Sequence, residues 1–249
     1  MDYQIDTLLN GHKIYQDNQR FMFGIDAILL ADFAASSIRK DSSVIDLGTG
    51  TGIIPLILDT TSRASHITAV EVQHDSATMA QSSVSINGLQ QKIEVVEGDL
   101  KAAESLFPKH HFNTVVSNPP YMAMSIGKEN PNDAKAIARH EVLCNLEDVI
   151  KAADYLLHDH GSFFMIHRPT RLADIFALCK KYSLEPKVLR MVVPFANKEP
   201  TMVLVEARKD AKPELKILPQ LVVYNKPGEY SEEIIDIYRR IEASKPEQA

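Results

Sequence analysis

From about residue 43 onward, short apolar runs rich in Val and Ile alternate with stretches of helical periodicity. That alternation predicts an α/β fold with a parallel sheet covered by helices. Residues 43–47 (SVIDL) read as the first strand of the series and run into a glycine loop, with a helix expected from Ile53. Residues 67–71 (ITAVE) read as the second strand, and Asp75 is placed to cap a helix ending near Asn87 and Gly88. Residues 93–97 and 113–117 supply the third and fourth strands. Each run is nearly all apolar, as expected when helices cover both faces of a sheet.

A polar stretch over 122–139, carrying Gly127 and Pro131, interrupts the pattern. A helix at 146–157, a strand at 162–167 and a helix at 170–182 follow, and β-rich segments at 187–194 and 201–207 close the series. The short join over 195–200 predicts a hairpin, so the last strand should run antiparallel to its neighbour. Upstream, Leu9-Asn10-Gly11-His12 is a hairpin turn signal, and Asp26 precedes a helix over 27–38. Beyond Arg208 the chain is charged and punctuated by proline, with a short strand at 222–224, a helix at 232–241 and a frayed tail over 243–249. Three parts are expected: residues 1–40, a central domain over 41–210, and an extension over 211–249.

Composition narrows the class only slightly. With 249 residues, 45% of them hydrophobic, the chain is long enough for one substantial core. No apolar run approaches the about 18–20 residues that span a bilayer, and the start has neither the basic nor the apolar part of a secretory signal. Cys144 and Cys179 stand alone, so a reduced, cytoplasmic setting is expected, with both thiols as small buried apolar groups. His110, His111, His158 and His160 lack carboxylates at ligand spacing and read as loop residues, so no metal is expected. The net charge of −6 gives no general argument for a nucleic-acid partner.

The chemistry sits at the strand ends. Asp46 precedes Gly48, Thr49, Gly50, Thr51 and Gly52, a GxGxG loop between a strand and a helix. Glycines there let the backbone turn sharply and approach a ligand. A dinucleotide fingerprint has the spacing GxGxxG; the shorter spacing and the acid before it favour S-adenosylmethionine, whose ammonium an acid can serve. Glu71 ends the second strand and can accept hydrogen bonds from ribose hydroxyls, with Val72 beside it. Asp99 can accept an adenine amino group while Leu100 packs on the ring. Singly, Glu71 and Asp99 read as ordinary exposed acids; at successive strand ends they read as a cofactor site.

Asn118, Pro119, Pro120 and Tyr121 follow the fourth strand directly. The two prolines stiffen the turn and remove two donors. The Asn118 side-chain oxygen and the Pro119 carbonyl can then accept both N–H groups of one planar amine, with Tyr121 offering a stacking face. Such an amine is a poor nucleophile until its lone pair is localised, and two acceptors favour that change as positive charge develops. A Pro-Pro turn that merely ends a strand is the plainer alternative, and the surrounding acids and glycines weigh against it.

Residues 21–33 (FMFGIDAILLADF), the loop from Asp46 to Gly52, Asn118–Tyr121, Arg139-His140-Glu141 and residues 198–206 (KEPTMVLVE) together resemble a known family. The chain is similar to the bacterial tRNA1(Val) adenine-N6 methyltransferase group of the NPPY-containing, Rossmann-like methyltransferases. The resemblance implies a seven-stranded, mostly parallel sheet with an antiparallel last strand, helices on both faces, and a short N-terminal hairpin and helix. It implies methyl transfer from S-adenosylmethionine, with S-adenosylhomocysteine as product, to N6 of the adenosine 3′ of the anticodon, by a monomer acting on tRNA. It also implies that Phe21, Phe23 and Asp26 belong to a segment closing over the cofactor, although core packing explains the two phenylalanines equally well. Arg139-His140-Glu141 would be a structural or substrate-side element. For RNA contact the candidates are Arg168, Arg171, Lys180, Lys181, Lys187 and Arg190, which also fit a solvated helix face. The alternatives are a guanine-N2 methyltransferase for ribosomal RNA, a glutamine-amide methyltransferase for a release factor, a NAD-dependent oxidoreductase and a non-catalytic cofactor-binding module.

Overall fold

A computed structural model describes residues 3–17, 24–119 and 144–246 of the chain. A hairpin of β1 (Tyr3–Thr7) and β2 (Lys13–Asp17) comes first, followed by α1 (Ile25–Ala35). The alternating series then runs β3 (Ser42–Leu47), α2 (Ile53–Thr61), β4 (Ala64–Glu71), α3 (His74–Ile86) and β5 (Ile93–Glu97). A single-turn α4 (Ala103–Leu106) leads to β6 (Phe112–Ser117), and α5 (Leu146–Leu156) leads to β7 (Leu157–His167). After α6 (Leu172–Lys181) come β8 (Leu184–Val193) and β9 (Met202–Lys209), then four strands of two or three residues, β10 (Lys216–Ile217), β11 (Leu221–Val222), β12 (Tyr224–Lys226) and β13 (Glu229–Tyr230), and a closing α7 (Glu232–Ala243).

The central sheet has the order β10-β8-β9-β7-β6-β3-β4-β5. Its seven principal strands, β8 to β5 in that order, are parallel except β9, which pairs antiparallel with both β7 and β8. The expected seven-stranded sheet is therefore present. The two-residue strands β10 and β11 lengthen its β8 edge, each pairing parallel to β8.

Helices cover both faces, as the largely apolar strands require. One apolar cluster joins α1, α2 and α7 to the sheet through Leu30, Leu56, Phe164 and Ile237, with Phe33 meeting Phe164 edge to face at 5.8 Å. The other joins α5 and α6 to the opposite face through Val149, Ile175 and Phe163. Helix α5 begins with a reciprocal cap in which Asn145 and Asp148 exchange side-chain-to-backbone hydrogen bonds, and Ser231 caps α7. Both chain extensions pack into the first cluster. His12 Nε2 and Lys92 Nζ each lie 2.8 Å from the carboxylate of Asp59 on α2, while Asn10 bonds the Leu56 carbonyl and Thr60.

Several local expectations change. Asp75 lies in the first turn of α3, and Gln73 occupies the N-cap without a side-chain bond. His158 and His160 stand in the exposed first half of β7 rather than in a loop. β8 starts at Leu184 and carries Pro186 at a register shift on its β9 side, where the missing N–H is tolerated. The tail is ordered further than expected, since Ser244 bonds Thr60 at 2.8 Å and Lys245 pairs with Glu242. Phe21, Phe23, Pro120, Tyr121 and Arg139-His140-Glu141 lie outside the described residues.

Candidate active site

The parallel register brings the ends of β3, β4, β5 and β6 to one edge of the sheet. Leu47 is level with Val70, Glu71 with Glu97, and Asp46 with Val116. Ser117 ties β6 to β3 by donating its hydroxyl to the Leu47 carbonyl at 2.8 Å. Beyond β3 the chain enters the left-handed region at Gly48, Gly50 and Gly52, with φ of 76°, 59° and 89°. L-residues resist that conformation, which accounts for the glycines. The amides of Gly48 and Thr49 both donate to the Val70 carbonyl, folding the loop back over β4. Gly52 then caps α2 against α3, where an added Cβ would lie 3.3 Å from Ala80 Cβ.

Glu71 holds this loop in place. Its carboxylate accepts the Gly50 N–H at 2.9 Å through one oxygen and the Gln73 N–H at 2.8 Å through the other. Each oxygen keeps a second lone pair with which to meet ligand hydroxyls. The neighbouring Val72 is exposed. At the end of β5, Asp99 accepts the Lys101 N–H at 2.9 Å, and Leu100 is buried beneath it.

Asp46 is the anomaly. It is fully buried, and neither of its carboxylate oxygens has a hydrogen-bond partner; the buried Thr49 hydroxyl beside it is also unmatched. Burial pushes the Asp46 carboxyl up to about 7; the Thr49 hydroxyl, close by but outside good hydrogen-bond geometry, opposes that shift by its attraction, and the Glu71 charge adds to it. An orphaned buried carboxylate is costly and calls for a donor or a cation. An ammonium-bearing ligand on the glycine loop supplies both, so these residues fit S-adenosylmethionine.

Asn118 and Pro119 continue from β6 on the same edge. The side-chain nitrogen of Asn118 donates to Asp26 Oδ2 at 3.1 Å, joining the start of α1 to the loop after β6 across 92 positions. The sequence places Asp26 near the cofactor only by resemblance and gives no sign of this bond, because nothing local links the two residues. Nor does it single out His167, buried at the end of β7 two residues past the pairing of Met165 with Ser117. Burial, with the charges of Arg171 and Arg168 as lesser causes, lowers the His167 pKa to about 4, and its Nδ1 accepts the Arg168 N–H. It is therefore a neutral imidazole near neutral pH.

The thiols are chemically quiet. Burial pushes Cys144 up to about 11 and Cys179 up to about 12, far from the thiolate range. Among the described residues no cluster of His, Cys, Asp or Glu could hold a metal, and no helix is long and apolar enough to cross a membrane. The basic candidates for RNA contact are largely engaged within the chain. Lys180 pairs with Glu185, Lys181 with Glu147, Arg171 with Asp174, and Arg190 with Glu233.

The model of the family described as "Methyltransferase small domain" matches residues 26–171. The tRNA1(Val) (adenine(37)-N6)-methyltransferase of Porphyromonas gingivalis is 30% identical over 223 residues, 85% of each chain. That of Aeromonas salmonicida is 30% identical over 194 residues, 77% of this chain and 78% of its own. Among solved structures, a predicted O-methyltransferase of Agrobacterium tumefaciens has a TM-score of 0.69 at 22% identity, covering 90% of this chain and 100% of its own. Pyrococcus horikoshii TYW2, solved in complex with MeSAdo, has a TM-score of 0.60 at 14% identity over 84% and 72%. These likenesses support the fold, and the family match together with the sequence relatives identifies the chain as a member of the methyltransferase small domain family.

Proposed function

We propose that the chain methylates N6 of the adenosine immediately 3′ of the anticodon in a tRNA, using S-adenosylmethionine. The observation that carries the cofactor half of this reading is the orphaned, fully buried Asp46 carboxylate just before a left-handed glycine loop that Glu71 holds through the Gly50 N–H. The substrate half follows the relatives, whose name specifies adenine 37 of tRNA1(Val).

Asp46 and Thr49 would receive the polar end of the cofactor, Glu71 its ribose hydroxyls, and Asp99 with Leu100 its adenine. The bound cofactor supplies a methyl group on a sulfonium, whose loss leaves a neutral thioether. The chain's part is to hold and polarise the amine. The Asn118 oxygen and the Pro119 carbonyl each accept one N–H, Tyr121 stacks against the base, and the nitrogen lone pair is left facing the methyl. Both protons stay bound to these acceptors as the N–C bond forms, and one is released to water afterwards. No strong base is needed, which suits a site whose neighbouring His167 and Cys144 are held neutral. Residues 1–40 would close over the cofactor, residues 41–210 carry the catalytic domain, and residues 211–249 brace it.

Thermal unfolding with S-adenosylhomocysteine, with NAD and with neither tests the cofactor reading. Stabilisation by the first alone is expected, and stabilisation by NAD alone would overturn it. Asn118→Ala should keep that stabilisation and lose methyl transfer; full activity in this variant would remove the amine clamp from the account.

A further inference from the structure

The amine clamp requires the Asn118 amide to present its oxygen, yet an amide can turn either way. Its two ends are similar in size, and rotation by half a turn would place an NH₂ where the substrate's own NH₂ must sit. Something on the protein has to choose.

We infer that Asp26 is the positioning residue that makes this choice. This rests on the clamp reading above. The Asp26 carboxylate accepts hydrogen bonds only, so the end of the amide facing it must be the nitrogen, as the 3.1 Å contact shows. The oxygen is then the end turned away from Asp26. A charge on the acceptor also strengthens the bond and draws electron density toward the amide oxygen, making it a better acceptor for the amine. Asp26 is itself held: its Oδ1 accepts the Ala27 N–H at 3.0 Å at the start of α1.

Gly24 supports the same assignment from a second direction. Its φ of −93° is open to any residue, so the backbone does not demand glycine. A Cβ at position 24 would instead stand 2.6 Å from Asp26 Oδ1. The glycine therefore leaves room for the carboxylate to lie across it, and Gly24→Ala should displace the carboxylate while leaving α1 intact.

A double-variant experiment separates orientation from other roles, reading initial rates of methyl transfer to tRNA and the affinity for S-adenosylhomocysteine. Asp26→Asn should lower kcat about tenfold or more, with the affinity unchanged, and Gly24→Ala should do the same. Asn118→Asp sets two carboxylates face to face and should also be impaired. The pair D26N/N118D restores a donor opposite an acceptor, and the carboxylate introduced by N118D needs no orienting because both its oxygens accept. The pair should be more active than either single variant. A double variant no better than the more active single, or D26N with full kcat, would overturn the inference. So would loss of S-adenosylhomocysteine binding in D26N at unchanged kcat, which would make Asp26 a cofactor ligand. If Asn118→Ala is inactive while D26N is fully active, only this inference fails; if Asn118→Ala is fully active, the clamp fails and takes the inference with it.

Discussion

Glu71 accepts the backbone N–H of Gly50 at 2.9 Å, so the last residue of one strand fixes the loop that follows another. The bond spans 21 positions and lies at the edge where a ligand would meet both groups. Glu71→Gln keeps one acceptor and should weaken S-adenosylhomocysteine binding about tenfold, while Glu71→Ala also releases the loop and should weaken it further. Calorimetric titration of the two variants checks the order. Equal, wild-type affinities in both would remove Glu71 from the site.

Asp46 gives the ligand-free protein a pH signature. Its folded pKa of about 7 stands above the ordinary 3.8, so between those values the folded state holds a proton that the unfolded state has lost. Stability from this group therefore falls as pH rises toward 7 and levels off above it. Asp46→Asn should abolish that contribution, making the variant more stable than the parent by up to a few kcal/mol at pH 8 and closest to it near pH 4. The same change should weaken cofactor binding. Urea unfolding of both proteins across that range reads the difference, and parallel curves would contradict the burial argument.

Asp59 behaves in the opposite sense. Burial alone would raise its pKa, but the bonds from His12 and Lys92 outweigh that and hold the carboxyl below its usual range. Its stabilisation is present above the ordinary carboxylate pKa and disappears as pH falls through the lowered value. Asp59→Ala should cost about 3 kcal/mol at neutral pH, since it leaves partly buried donors unmatched. The hairpin carrying His12 should loosen first, visible as faster amide exchange at Leu8, whose N–H bonds the His12 carbonyl.

The glycine loop separates stability from ligand approach. Gly50 is left-handed, but nothing lies within 4 Å of an added Cβ, whereas at Gly52 the Cβ would press on Ala80. Gly50→Ala should therefore cost only about 1–2 kcal/mol of backbone strain, with a larger loss of cofactor affinity. Gly52→Ala should lose more stability because α2 and α3 must also part. Melting temperatures and S-adenosylhomocysteine affinities measured together distinguish the two effects.

Elements whose hydrophobic pattern is local were readable from the chain. β5 at Ile93–Glu97 and the start of α2 at Ile53 fall where apolar periodicity puts them. The errors arise where tertiary partners decide. Leu157 joins β7 because Phe112 pairs with it, and Pro186 is accepted in β8 because the ladder shifts register there. Chemistry followed the same division. The glycine loop and the strand-end acids are visible as residue types, whereas the Asn118–Asp26 bond, the backbone donors on Glu71 and the orphaned state of Asp46 depend on contacts that spacing cannot express. The basic candidates also looked different in sequence, because the acids that pair with Lys181 and Arg190 lie 34 and 43 positions away.

The most direct test of the central claim is mass spectrometry of nucleosides from unmodified tRNA incubated with the protein and methyl-labelled S-adenosylmethionine. The account predicts label in N6-methyladenosine, located in the fragment that holds the nucleotide 3′ of the anticodon, and none with Asn118→Ala. Label in a guanine N2 position, or transfer only to a release-factor glutamine, would contradict it.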